Sequence, residues 1–165
     1  MQSNQQILFV MGVSGSGKTT IGKLLAKKLA IPFFDGDEYH PDDNVKKMAE
    51  GHPLNDEDRK GWLRRLNRLA KDQKEEGAVI ACSALKRKYR KLLRQDVEEW
   101  VEFVYLEGSF ELIMERMQKR KGHFMPPELL RSQFETLEIP KHAISVAIDP
   151  TPEEIVDAIL GKLER

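Results

Sequence analysis

The stretch that decides the fold is Ile7-Leu-Phe-Val-Met-Gly12-Val-Ser-Gly-Ser-Gly-Lys18-Thr-Thr20. Ile7 to Met11 is a continuous apolar run, which is typical of a strand buried on both faces of a sheet. Gly12 to Thr19 matches the pattern G-x-x-x-x-G-K-[ST], and apolar residues at helical spacing follow from Ile21 to Leu29. A strand, a glycine-rich turn and a helix in this order predict a loop that binds phosphate groups.

Each residue type in this loop suits a nucleoside triphosphate. Glycines let backbone amides approach phosphate oxygens closely, and the start of the helix offers free N–H groups and the positive end of its dipole. Lys18 supplies a catalytic positive charge to the β- and γ-phosphates, and Thr19 offers a hydroxyl to Mg²⁺. The alternative, a glycine-rich turn with a chance lysine, does not explain the complete pattern. The predicted nucleotide-binding residues here are Gly12, Val13, Ser14, Gly15, Ser16, Gly17, Lys18, Thr19 and Thr20.

Further apolar runs alternate with amphipathic stretches along the rest of the chain. The runs are Pro32–Phe34, Ala78–Cys82, Val101–Leu106 and Ser145–Ile148. Strands separated by helices predict βαβ units, and therefore an α/β fold with a five-stranded parallel sheet. The length of 165 residues suits one domain. In such sheets ligands gather beyond the carboxyl ends of the strands, so the functional residues are expected there.

The composition excludes several classes of protein. Lys plus Arg and Asp plus Glu each number 27, and this zero net charge argues against general binding of nucleic acids. The single cysteine, Cys82, excludes an internal disulfide. No apolar run approaches the ~20 residues that span a bilayer, and Met1–Gln6 does not resemble a signal peptide. We therefore expect a cytoplasmic protein with no membrane partner.

The strings around the loop also separate classes of nucleotide-binding protein. A GTPase usually carries an N-K-x-D motif, which does not occur in this chain. A motor-type ATPase usually has an acidic residue at the end of the neighbouring strand, whereas Val79–Ser83 contains none. A kinase for a small molecule fits better.

Asp35-Gly-Asp37 follows the second predicted strand. Two carboxylates at a strand end can face one cleft, where one lies beside Mg²⁺ and the other beside the hydroxyl to be phosphorylated. We assign the metal side to Asp35 and the base to Asp37. The alternative is a simple turn, since D-G is a common turn dipeptide.

Other polar residues near the strand ends are candidates for binding the acceptor. His40 could contact a polar substrate, although a histidine at a helix entry is more often structural. Arg59 could hold a carboxylate in a two-pronged contact. Lys86 is expected near the phosphate end of the sheet, whereas the basic run that follows it is most simply a solvated helix face.

Arg116 and Arg120 are four residues apart and therefore share a helix face. A mobile helix and loop that carries arginines can bring positive charge to the transferred phosphoryl group and exclude water. The alternative is an exposed basic helix end.

Taken in order, these strings resemble those of gluconate kinases of the small, shikimate-kinase-like type. They include Asp35-Gly-Asp37 with His40-Pro41, Pro53-Leu-Asn-Asp56 with Asp58-Arg59, Cys82-Ser-Ala-Leu-Lys86, Arg120-Lys-Gly-His-Phe124 and Gln133-Phe-Glu-Thr-Leu137. The resemblance covers almost the whole chain. It implies ATP- and Mg²⁺-dependent phosphorylation of D-gluconate to 6-phosphogluconate, strand order 2-3-1-4-5, a lid at about residues 116–137 and a homodimer.

The resemblance also suggests roles for individual residues. Asp37 would face the acceptor hydroxyl, Arg59 would hold the substrate carboxylate, and Arg116 and Arg120 would contact nucleotide phosphates. Adenine would rest near Pro150. The other residues predicted to bind gluconate are His40, Lys86, Arg90, His123 and Gln133.

Two alternatives to a gluconate kinase stay open on the sequence alone. One is a kinase for another small acceptor, such as shikimate or a nucleoside monophosphate. The other is a nucleotide-sensing module without catalysis, which would leave the carboxylates and arginines unexplained.

Overall fold

A computed structural model describes residues 6–119 and 127–163 of the chain. Its centre is a five-stranded sheet in the order β2-β3-β1-β4-β5, in which all neighbours are parallel. The strands are β1 (Ile7–Met11), β2 (Phe33–Asp35), β3 (Ala78–Ala81), β4 (Val101–Glu107) and β5 (Ile144–Ala147). Both the parallel sheet and its strand order are confirmed.

Seven α-helices in the described residues surround the sheet. They are α1 (Lys18–Leu29), α2 (Asp42–Ala49), α3 (Asp56–Gln73), α4 (Arg87–Leu93), α5 (Phe110–Lys119), α6 (Pro127–Thr136) and α7 (Pro152–Leu163). A short 3-10 helix, Gly36–Tyr39, follows β2 directly. None of the helices within these described ranges is long and apolar enough to cross a membrane.

The central strand β1 separates two hydrophobic cores. Leu8 and Val10 face the core that contains Leu25 of α1, whereas Ile7 and Phe9 face the core that contains Leu66 of α3. All of these side chains are fully or almost fully buried. Alternate residues of a strand point to opposite faces, so a strand covered on both sides must be apolar throughout. This explains the uninterrupted run that opens the chain.

α3 ends in a tight turn that leads into β3. The helix ends at Gln73, whose carbonyl oxygen accepts hydrogen bonds from the N–H groups of Glu76 at 3.2 Å and Gly77 at 2.7 Å. Gly77 has φ 86°, a left-handed conformation that glycine adopts without strain. The chain thus turns tightly into β3 at this glycine.

Candidate active site

The phosphate-binding loop joins β1 to α1 at the carboxyl edge of the sheet. Gly15 and Gly17 have φ 80° and 99°, in the left-handed region. The Nζ atom of Lys18 folds back over the loop and donates to the carbonyl oxygens of Gly12 and Val13, each at 3.0 Å. The loop therefore has a closed shape that its own lysine holds together.

Gly12 is needed because the loop is tightly packed. A Cβ atom at this position would lie 2.7 Å from Oγ of Ser16 and 3.2 Å from the carbonyl oxygen of Leu106. Ser16 itself is buried, and its Oγ has no hydrogen-bond partner among the described residues. The side chain of Ser16 thus fills the back of the loop, and any larger residue at position 12 would displace it.

The start of α1 offers an anion site. Gly17 occupies the N-cap position, no side chain caps the helix, and its first turn contains no acidic residue. Thr19 and Thr20 in this turn are exposed. Free N–H groups and the positive end of the dipole therefore remain available, which is the arrangement that binds phosphate.

Asp35 and Asp37 lie beside this loop. Oδ1 of Asp35 accepts a hydrogen bond from the backbone N–H of Asp37 at 3.0 Å, which fixes the turn between them, and the side chain of Asp37 is exposed. Withdrawal from water lowers the pKa of Lys18, and the charges of Asp37 and Asp35 oppose this shift. Both carboxylates thus share one electrostatic neighbourhood with the loop lysine.

Gly36 between the two carboxylates has a packing role. A Cβ atom there would lie 2.3 Å from the carbonyl oxygen of Ala81 in β3. Real Cβ atoms do not approach an oxygen so closely, so any other residue would push the segment away from the sheet. Gly36 therefore sets the distance of the two carboxylates from the end of β3.

The described residues suit a Mg²⁺ ion that is coordinated mainly by substrate phosphates and water, with few protein oxygens. In residues 6–119 and 127–163, no group of three or more His, Cys, Asp or Glu side chains is arranged to hold a metal ion. The candidate donors are the exposed hydroxyl of Thr19 and the carboxylate of Asp35, of which only Oδ1 caps a turn. Mg²⁺ commonly keeps its waters and binds one or two protein oxygens together with substrate phosphates. The donor set fits that mode of binding.

His40 lies next to the carboxylates on the acceptor side. Its ring stacks on Trp62 of α3, with centroids 4.3 Å apart and planes 14° from parallel. Trp62 is buried and donates from Nε1 to the carbonyl oxygen of Gly36 at 2.8 Å. Burial lowers the pKa of His40, while Asp37 raises it and Arg59 lowers it. The charges of Asp37 and Arg59 therefore both act on the ring of His40.

Arg59 retains a free positive charge. Its Nη1 donates to the hydroxyl of Tyr89 at 3.2 Å, and its guanidinium carbon lies 5.6 Å from the centre of that ring. The side chain is half-buried and forms no ion pair with a carboxylate in the described part of the chain. The guanidinium of Arg59 is therefore able to bind an anionic ligand.

Asp56, at the start of α3, was not among the site residues predicted from the sequence. Its carboxylate accepts hydrogen bonds from Lys88, from the hydroxyl of Tyr89 and from Lys86, whose Nζ lies 3.2 Å from Oδ1. These donors, Lys88 first among them, lower the pKa of Asp56. Lys86 therefore shares the carboxylate of Asp56 with Lys88, whereas Arg59 has no carboxylate partner in the described residues. The partners lie about thirty residues away in sequence, and no local pattern indicates such a pairing.

Arg90 has structural contacts in this fold. It is buried, and its guanidinium donates to the carbonyl oxygens of Ala84 at 2.7 Å and Glu138 at 2.8 Å. The side chain of Glu138 in turn accepts from the N–H of Arg87 at 2.6 Å. These bonds fasten the segment after α6 to the start of α4. The predicted contact between Arg90 and the substrate stays a prediction.

Gln133 of α6 lies on the phosphate-binding loop. Its Oε1 accepts from the backbone N–H of Ser14 at 2.7 Å, and its Nε2 donates to Oγ of Ser14 at 3.0 Å. The sequence reasoning placed Gln133 with the sugar acid, whereas both amide atoms contact the nucleotide side of the cleft in this structure. Its predicted contact with the sugar acid stays a prediction. The two residues are 119 positions apart, so no spacing rule could pair them.

Part of the predicted lid at residues 116–137, the end of α5, also approaches the loop. A Cβ atom on Gly15 would lie 2.7 Å from the side chain of Met117, so α5 covers the loop closely. The half-buried Arg116 lies next to Met117 in α5, and the exposed Pro150 follows β5. Arg120 and His123 lie outside the described residues, so their predicted roles stay predictions.

Comparison with known proteins gives consistent results. A family model described as shikimate kinase matches residues 14–164. The chain is 52% identical over 134 residues to a thermosensitive gluconokinase of Escherichia coli K12, covering 80% of this chain and 71% of that protein. It is 45% identical over 178 residues to a probable gluconokinase of Xenopus tropicalis, covering 96% and 94%.

A solved structure agrees with these sequence relatives. The crystal structure of a gluconokinase from Sinorhizobium meliloti 1021 superposes with a TM-score of 0.90 at 43% identity, covering 99% of this chain and 94% of that one. The similarity therefore extends over the sheet, the loop and both sides of the cleft.

Proposed function

Because the chain belongs to the gluconokinases of the shikimate kinase family, we propose that it transfers the γ-phosphoryl group of ATP to the terminal hydroxyl of D-gluconate. The products are 6-phospho-D-gluconate and ADP. The observation that carries the proposal for this chain is that Lys18, which is hydrogen-bonded to the phosphate-binding loop, also feels the charges of Asp37 and Asp35. Nucleotide and acceptor would meet at that lysine.

The loop and α1 would bind the phosphate chain of ATP. The open first turn of α1 and the amides of the loop supply N–H donors, and Lys18 would exchange its bonds to the Gly12 and Val13 carbonyl oxygens for bonds to phosphate oxygens. Arg116 on α5 would add positive charge from above the loop. Preorganised charge of this kind stabilises the transition state without further rearrangement.

Asp37 would orient the acceptor and take its proton. The oxygen of the terminal hydroxyl forms a bond to the γ-phosphorus, and the bond from that phosphorus to the β–γ bridging oxygen breaks. The proton of the hydroxyl passes to the carboxylate of Asp37, and ADP leaves with the electron pair of the broken bond. The exposed position of Asp37 beside Lys18 supports this role.

Arg59 would hold the carboxylate of gluconate. It keeps no carboxylate partner in the described part of the chain, whereas Lys86 is paired with Asp56. Among the described residues Arg90 also lacks a carboxylate partner, but its guanidinium is already bonded to two backbone carbonyl oxygens. The stacked ring of His40 would lie along the polyol. With Arg59 at the carboxylate and Asp37 at the terminal hydroxyl, the sugar acid would be held at both ends.

Thr19 and Asp35 would hold Mg²⁺ together with the phosphates. When bound, the ion offsets negative charge on the β- and γ-phosphates. This assignment is supported by the chemistry of the two residues, because Mg²⁺ prefers oxygen donors and commonly binds only one or two from the protein.

Cellular location, assembly and lid movement extend the proposal. The use of ATP and the lone, buried Cys82 support a cytoplasmic enzyme. The family resemblance supports a homodimer and a single domain whose lid covers residues 116–137. Sedimentation of the purified protein at several concentrations would test the dimer.

The proposal is tested by measuring ADP release with gluconate, shikimate, AMP and CMP as acceptors. We expect turnover with gluconate that exceeds turnover with the others by orders of magnitude and requires Mg²⁺. Phosphorus NMR of the product should show a phosphate monoester on the terminal carbon. ATP binding without acceptor-stimulated turnover would contradict the proposal, and preference for another acceptor would replace gluconate with that molecule.

A further inference from the structure

We propose that Asn44 is a positioning residue that holds His40 as the neutral Nε2–H tautomer, so that His40 donates a hydrogen bond to an oxygen of the sugar acid. The proposal rests on the proposed function for the identity of the acceptor. The tautomer itself is a property of the free protein and can be measured without any substrate. Asn44 was not among the residues singled out from the sequence.

The orientation of the Asn44 side chain is fixed by its surroundings. The residue lies on α2 and is 4% exposed. Its Nδ2 lies 2.9 Å from the backbone carbonyl oxygen of Asp58, which can only accept hydrogen bonds. The amide nitrogen must therefore face this carbonyl, because the reverse orientation would place two acceptor oxygens against each other.

The same nitrogen then determines the protonation of His40. Nδ2 of Asn44 also lies 3.3 Å from Nδ1 of His40, so its second hydrogen, the one not used by the carbonyl of Asp58, is available to that ring nitrogen. Nδ1 must accept, so it carries no proton, and the proton of the neutral ring lies on Nε2. A proton on Nδ1 would face the N–H of Asn44 and be repelled.

The remaining neighbours of His40 agree with a neutral ring. Burial lowers its pKa from the ordinary value of 6.5, and the charge of Arg59 on α3 acts in the same direction. Asp37 on the 3-10 helix opposes both. Trp62 fixes the plane of the ring by stacking at 4.3 Å, and Trp62 is itself held by Gly36. The direction of the Nε2–H bond is therefore set by three elements of the fold.

This assignment divides the roles of His40 and Asp37. A nitrogen that already carries a proton cannot accept one from the substrate hydroxyl. His40 can therefore bind an oxygen of the polyol but cannot serve as the base through Nε2. Proton removal is left to the carboxylate of Asp37.

Nitrogen-15 NMR of the ligand-free protein labelled at histidine tests the tautomer directly. We expect Nδ1 of His40 to show the shift of an unprotonated nitrogen and Nε2 that of a protonated one at pH 7.5. In Asn44→Asp the carboxylate should instead accept from Nδ1–H and favour the imidazolium, so His40 should titrate at higher pH than in the wild type. Asn44→Ala removes the donor without adding charge, and should leave a mixture of tautomers.

Asn67→Asp is the matched control. Asn67 is also a buried asparagine that donates to two backbone carbonyl oxygens, those of Leu93 at 2.9 Å and Gln95 at 3.0 Å. Its replacement should lower the melting temperature but leave the nitrogen shifts of His40 unchanged. A change at His40 in both variants would indicate a general loss of structure.

Steady-state kinetics connect the tautomer to binding. Asn44→Ala should raise KM for gluconate by about three- to tenfold, the effect of weakening one hydrogen bond, with little change in kcat or in KM for ATP. A protonated Nδ1 in the wild-type protein, or unchanged nitrogen shifts in both Asn44 variants, would overturn the inference and leave the proposed function intact. Failure to phosphorylate gluconate would overturn the function and leave the tautomer measurement valid.

Discussion

The N-termini of α1 and α3 differ in whether side chains cap their free N–H groups. Every helix begins with N–H groups that have no partner within the helix. At α3, Asn55 and Asp58 form a reciprocal capping box, with N–H to oxygen distances of 2.8 and 2.9 Å, and acidic residues fill the first turn. At α1 a glycine stands at the cap, with no side-chain acceptor and no acid. The end left unsatisfied is the one expected to bind phosphate.

The two ends also differ in what they contribute. α1 offers backbone groups, which suit any phosphate chain and carry little selectivity. α3 uses its acids to bind neighbouring elements, since Asp58 accepts from Lys47 of α2 at 2.6 Å and Asp56 holds the basic start of α4. This network positions Arg59, the side chain expected to recognise the acceptor. We therefore expect the uncapped start of α1 to bind any phosphate chain, and the capped start of α3 to provide selectivity for the acceptor.

The largest expected effect falls on Asp37, the proposed base that lies close enough to Lys18 to affect its pKa. Asp37→Asn should lower kcat by about 10²- to 10⁴-fold, because general base catalysis contributes on that order. Binding of ATP, measured by calorimetry, should survive. Glu38→Gln, at an exposed neighbouring position of the same 3-10 helix, is the control and should retain activity. Wild-type turnover in Asp37→Asn would remove Asp37 from the mechanism.

A negative charge in the first turn of α1 should stabilise the free protein but weaken its binding of ATP. Thr20→Glu places a carboxylate in the first turn, where it interacts favourably with the helix dipole and should stabilise the free protein by about 0.3–1 kcal/mol. The same charge should repel the phosphates and raise KM for ATP by about tenfold or more. Melting temperature and ATP kinetics measured together check both signs. Thr20→Gln, which lacks the charge, should show neither effect strongly.

Removing the side chain of Arg59, near the capped start of α3, should weaken the binding of gluconate but not that of ATP. Arg59→Ala should raise KM for gluconate by about ten- to a hundredfold, since hydrogen bonds to charged groups contribute about 1.5–3 kcal/mol. KM for ATP should change little. Arg68→Ala, which removes an exposed arginine from the same helix, is the matched control. An unchanged KM for gluconate in Arg59→Ala would place the anchor elsewhere.

The smallest effect is expected from removing the N-cap of α3. Asn55→Ala removes the cap of α3 and should lower the free energy of unfolding by about 1 kcal/mol. Urea denaturation measures this change. Asn55→Asp retains an acceptor for the N–H of Asp58 and should recover part of the loss. Equal destabilisation by both substitutions would argue against the capping box as the source.

Features that are encoded by residues close together in the sequence could be predicted. The loop pattern, the apolar runs of the strands and the strand order that follows from family resemblance all agree with the structure. The pairings of Gln133 with Ser14, Asp56 with Lys86 and Asn44 with His40 were not predicted. The first two join distant segments that only the folded sheet brings together. The third lies within four residues, but its meaning depends on the carbonyl of Asp58 and the ring of Trp62.

The bond from Ser14 to Gln133 affects how solvent exchange at the loop must be interpreted. The amide nitrogen of Ser14 has a partner within the protein itself, Oε1 of Gln133 at 2.7 Å. Slow deuterium uptake at Ser14 therefore reports the attachment of α6, and an increase in uptake on addition of ATP would mean that this attachment has been released. The uncapped amides at the start of α1 are the positions whose slowing reports occupancy by phosphate.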